Sequence, residues 1–187
     1  MASTRVRAAR PPLDQHRLEE LGLRYVGRYA TTRAKLRAYL SRKIRERGWD
    51  EPREPDLEAL ANRFASLGYI DDAAYALSKS HALTGRGYGR RRVIEKLRLA
   101  GVGEKDGAAA AEHADNEAVA SALRFASRRR IGPYAAAAPD PKLREKWIAA
   151  MVRAGHSFAL AQAVSRLEPG VEADLDALAE RGRFVAR

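Results

Sequence analysis

Three times along this chain a pair of apolar residues stands eight and four positions ahead of a glycine: Leu40 and Ile44 before Gly48, Val93 and Leu97 before Gly101, Trp147 and Met151 before Gly155. These glycines lie 53 and 54 residues apart. A period of that length constrains the fold more than any other feature, because it marks tandem modules rather than one continuous layered core. The eight-and-four spacing puts both apolar residues on one face of a helix, and the glycine can close that helix in a left-handed conformation.

A helix is expected on either side of each repeated one. In the first module Leu18, Leu21 and Tyr25 form one apolar stripe, Leu36, Tyr39, Leu40 and Ile44 a second, and Leu57, Leu60, Phe64 and Leu67 a third. Thr31 and Thr32 are candidate caps for the second helix, and Asp140 followed by Pro141 is a cap and first turn further on. Equivalent outer helices are predicted over 71–83 and 104–114, then over 116–130 and 157–167. Two such helices leave an apolar stripe uncovered, and the third closes each small core. Strand signals are sparse, so the fold class is all-α, with three-helix modules over 14–70, 71–114 and 115–168. Residues 1–13 read as a basic disordered tail, and 169–187 as a C-terminal tail with one short helix anchored weakly by Leu175 and Leu178.

The modules are not identical. Two prolines in "WDEPREPD" demand a non-helical connection in the first. The alanines of "EKDGAAAAEHA" predict a thin, locally less stable core in the second, and "IGPYAAAAPD" is a long bridge in the third.

A net charge of +11, from 35 Lys and Arg against 24 Asp and Glu, points to a polyanionic partner such as DNA. There is no cysteine and the four histidines are scattered, so no metal or other cofactor is expected. No apolar run is long enough to span a bilayer and the N-terminus lacks a hydrophobic signal region, so no membrane association and a cytoplasmic location are expected.

The stretch "GRGYGRRR", Gly85 to Arg92, raises the question of phosphate chemistry. Neither the P-loop pattern nor the dinucleotide fingerprint fits, since the glycines alternate with single residues and follow a helix. The glycines read as a helix-to-helix turn. Arg90, Arg91 and Arg92 then stand at a helix start, where positive charge opposes the helix dipole, and two readings stay open: a solvated face, or a surface that meets an anion together with free N–H groups. Arg86, Lys96 and Arg98 extend this patch, and Tyr88 can stack or hydrogen-bond within it. Arg33, Arg37 and Lys43 belong to a second basic stretch, and Arg128, Arg129 and Arg130 end a helix whose dipole they complement. The first two patches are expected to form one stripe if modules stack.

No catalytic constellation can be assembled. Asp71 and Asp72 read as caps, His156 as a capping or packing residue, Ser157 as an N-cap, and Trp49, Phe64, Tyr75 and Trp147 as core or module-interface residues.

"SLGYIDDAAYA" (66–76) followed by "GYGRRRVIEKLRLAGV" (87–102) resembles the RecX family of bacterial recombination regulators, and "RRRIGPY" (128–134) and "RAGHSFALA" (153–161) resemble its closing module. The resemblance spans about 18–167. It implies an elongated, curved array of three tandem three-helix modules with no enzymatic activity. It also implies binding along the groove of the RecA recombinase filament on DNA and inhibition of its ATPase, strand-exchange and coprotease activities. A monomer that blocks filament extension in DNA repair, recombination and the SOS response is therefore expected. The rival reading is a stand-alone basic helical nucleic-acid-binding protein.

Overall fold

The structure, a computed structural model, describes residues 11–182. These form ten α-helices and one 3-10 turn, with no named strand among the described residues: α1 Gln15–Val26, α2 Arg33–Arg47, α3 Leu57–Ser66, α4 Asp72–Gly85, α5 Arg90–Leu99, α6 Glu104–Asn116, α7 Ala118–Arg129, α8 Pro141–Arg153, α9 Phe158–Arg166 and α10 Leu175–Gly182, the 3-10 turn being Gly132–Tyr134. The all-α expectation holds. Residues up to Asp71 make one compact unit and those from Asp72 onward a second. The sequence separates 71–114 from 115–168, whereas the structure joins them in one unit.

In the first unit the three apolar stripes meet, burying Leu18, Leu36, Leu40, Leu60 and Phe64 in one cluster. Capping sets the helix starts. Asp14 accepts from the Arg17 amide, Thr32 from Lys35 and Asp56 from Ala59, so the last residue of "WDEPREPD" opens α3. Of the two threonines only Thr32 caps; the Thr31 hydroxyl is buried without a hydrogen-bond partner. Leu67 departs from expectation, since α3 ends before it and it is 60% exposed.

The predicted tail lies outside the described residues up to residue 10, but its last residues are ordered. Leu13 is fully buried and forms an isolated parallel bridge with Trp49, its amide donating to the Gly48 carbonyl at 3.0 Å and its carbonyl accepting from the Asp50 amide at 2.9 Å. The Arg47 guanidinium holds the Pro11 carbonyl at 2.8 and 3.0 Å. Disorder up to residue 13 is therefore corrected: the apolar Leu13 completes the core that α1 to α3 begin.

The second unit has two clusters. One gathers Ala76, Leu83, Val93, Leu97, Ala110 and Ala114 from α4 to α6. The other includes Phe125, Ile131, Met151, Leu160 and Val164 from α7 to α9, with Leu178 of α10. Tyr88 packs against both clusters, which is one reason the two halves are a single body. In the C-terminal segment Leu175–Gly182 forms a short helix, and of its two expected anchors Leu178 is buried while Leu175 is 58% exposed.

Candidate polyanion-binding surface

The glycine-arginine loop is built for backbone-to-backbone docking. Gly87 has a φ of 76°, and a Cβ at Gly89 would come within 2.4 Å of the Gly155 carbonyl oxygen. No side chain fits there. The closeness lets the Gly89 amide donate to the Ala154 carbonyl at 3.0 Å and the Arg91 amide to the Gly155 carbonyl at 3.1 Å. The N-terminus of α5 thus meets the C-terminus of α8, and the two opposite dipole ends offset one another. That contact explains how three consecutive arginines are tolerated at a helix start.

It also corrects the anion-cradle reading. The Arg91 amide is taken by Gly155, and those of Arg92 and Val93 by the Gly89 carbonyl at 3.0 and 3.2 Å. Side chains, not free N–H groups, carry the positive charge offered at this point.

His156 locks the same junction. It is 2% exposed, and its Nε2 lies 3.1 Å from the Gly87 carbonyl, which can only accept, so Nε2 carries the proton. Burial pushes its pKa down from 6.5 to about 4, against a smaller upward pull from the Gly87 carbonyl. The ring is neutral at physiological pH and acts as packing, as the sequence indicated.

An open groove runs between α5 and the end of α8. Arg90, Arg91, Arg92, Arg98 and Arg153 line it over an apolar floor that includes Ile94 and Val152, with Glu95 the one acid. Arg90 is tied to Asp115 at 2.9 Å and Arg92 to Glu95 at 2.9 Å. Arg91, Arg98 and Arg153 are exposed and have no ion-pair partner among the described residues. Three uncompensated guanidinia in one groove attract phosphates strongly, because each offers a planar fork of donors.

Arg153 was not among the sequence candidates. It lies within the "RAGHSFALA" segment, but its place in the groove depends on the Gly89–Gly155 contact, which links residues far apart in sequence. The other candidates are scattered. Lys96 does not line the groove, and Tyr88 is half-buried between the two clusters, so it is a packing residue rather than part of an exposed patch. The Arg128 guanidinium donates to the Arg86 carbonyl, Arg129 lies over the Phe125 ring at 5.8 Å, and Arg130 caps α7 in the left-handed region with φ 54°.

In the first unit Arg33 starts α2, Arg37 pairs with Glu58 of α3, and Lys43 pairs with Glu46 at 2.5 Å. These exposed pairs contribute about 1 kcal/mol or less each and leave the cations open to a stronger anion. Among the described residues no cluster of His, Asp and Glu could hold a metal ion, and no helix is long and apolar enough to cross a membrane.

Comparison with known proteins gives a consistent result. The regulatory protein RecX of Myxococcus xanthus is 33% identical over 171 residues, covering 81% of this chain and 86% of its own length. RecX of Agrobacterium fabrum is 31% identical over 131 residues, covering 68% of this chain and 70% of its own, and RecX of Thermobifida fusca is 30% identical over 164 residues, covering 84% and 83%. The crystal structure of RecX from Lactobacillus salivarius superposes with a TM-score of 0.57 at 16% identity, over 80% of this chain and 92% of that one, a likeness of fold. No protein-family model matches the chain.

Proposed function

The chain belongs to the RecX family of regulatory proteins, and from that premise we propose that it binds the RecA recombinase filament on DNA and inhibits it. Filament extension, ATP hydrolysis, strand exchange and coprotease activity are the processes it restrains, as a cytoplasmic monomer, and through them it modulates DNA repair, recombination and the SOS response. It acts by occupancy, with no bond made or broken. The observation that carries this reading at residue level is the arginine groove of α5 and α8, in which Arg91, Arg98 and Arg153 are exposed without acidic partners. A protein–DNA filament is rich in phosphate and carboxylate, and guanidinium forks match both.

Co-sedimentation tests the partner. With RecA assembled on single-stranded DNA, the chain should pellet with the filament and remain there at a salt concentration that releases it from DNA alone. A chain that pellets equally with bare DNA, and is released at the same salt, is a stand-alone nucleic-acid-binding protein, and the recombinase reading fails.

A further inference from the structure

The first unit carries a second groove of different chemistry. Tyr25, at the end of α1, and Tyr39 of α2 are stacked, with centroids 4.2 Å apart and planes 12° from parallel. Tyr29, in the turn that follows α1, tilts against Tyr25 at 5.4 Å and is 58% exposed. The three rings form a stair whose last step is uncovered. All three line one open groove, and its rim is basic: Arg24 and Arg28 from the α1 side, Arg42 and Lys43 from α2.

Charge and ring faces together narrow the ligand. The groove lining contains no acid. The carboxylates paired with its rim are Glu20, bound to Arg24 at 2.9 Å, and Glu46, which serves both Arg42 at 3.6 Å and Lys43 at 2.5 Å. Arg28 is exposed and has no partner among the described residues. Four cations against two neighbouring acids leave an excess of positive charge around an exposed aromatic face. An apolar peptide would gain from the rings but strand the cations, and an acidic peptide would use the cations but not the ring faces. A duplex offers phosphates but keeps its bases stacked internally. Single-stranded nucleic acid uses both, with a base on the open tyrosine and phosphates against the rim.

We infer that the Tyr25–Tyr39–Tyr29 groove is a base-stacking site for single-stranded nucleic acid. Tyr29 provides the platform, Tyr25, itself stacked on Tyr39, supports it, and Arg28 with Arg42 and Lys43 engages the backbone. The inference rests on the nucleic-acid half of the proposed function and not on the recombinase, so its test contains no RecA.

The test is fluorescence anisotropy of a labelled oligothymidylate, and of a labelled duplex, with the full chain. Tyr29→Leu keeps apolar bulk but removes the ring face, and should weaken single-strand binding about 5- to 150-fold, the range of one lost base stack, with duplex affinity unchanged within about twofold. Tyr29→Phe should bind both as the wild type does. Wild-type binding should weaken with salt at a log–log slope of about −0.7 per phosphate neutralised. The inference is overturned if the wild type does not bind the oligothymidylate, if Tyr29→Leu binds it as tightly as wild type, or if the loss is equal on the duplex. Failure here, with filament co-sedimentation intact, would leave the recombinase reading standing.

Discussion

His156 shows how one residue links the glycine-arginine loop to stability. Its folded pKa of about 4 lies below the ordinary 6.5, so between these values the unfolded chain binds a proton that the folded chain refuses. Stability present above about pH 6.5 is therefore lost as pH falls toward 4, by about 3 kcal/mol in total. His113 works in the same direction, its pKa lowered by burial and then by His81, whose ring centroid is 3.8 Å away. Urea unfolding at pH 7 and pH 4.5 checks this. His156→Gln, which retains a donor toward the Gly87 carbonyl, should flatten the pH dependence markedly while leaving the His113 part. An unchanged slope would mean that His156 is not the buried neutral group described.

Between elements, the closeness of α4 and α6 has a sequence cause. The alanines that predicted a thin core are there because the helices are too near for anything larger: Ala110 and Ala114 are fully buried, and the Ser80 hydroxyl reaches the Ala110 carbonyl at 2.8 Å. That hydroxyl in turn accepts from His113 Nδ1 at 3.1 Å. Ala110→Leu should therefore destabilise the chain by about 1–3 kcal/mol through overpacking, measured by urea unfolding, rather than fill a void and stabilise it. The repeated helices themselves were legible, because a helix-closing glycine and two apolar residues one and two turns earlier are local signals. In the structure Gly48, Gly101 and Gly155 all have positive φ; of the six paired apolar residues Leu40, Val93, Leu97 and Met151 are buried, whereas Ile44 and Trp147 are only partly buried. What the sequence could not reveal is non-local. The Gly89–Gly155 contact joins segments with no shared pattern, and with it came the closure of the α5 N-terminus and the place of Arg153. Leu13 was hidden for a similar reason, since a lone apolar residue after two prolines has no periodicity to mark it.

At the scale of the whole molecule, the chain is a helical member of the RecX family, and the proposal made for it is that it restrains RecA by sitting on its filament. Drift to low identity on a common fold is expected of such a chain, because helical modules demand apolar spacing and tight glycine contacts more than particular side chains. The measurement that tests the claim most directly is the rate of ATP hydrolysis by RecA on single-stranded DNA as the full chain is added. The rate should fall steeply as the chain approaches RecA in amount, and Arg91→Glu, Arg98→Glu and Arg153→Glu combined should largely abolish the fall while helical content by circular dichroism is kept. A rate unmoved by a stoichiometric amount of the wild-type chain, or inhibition that survives reversal of all three charges, would contradict the account.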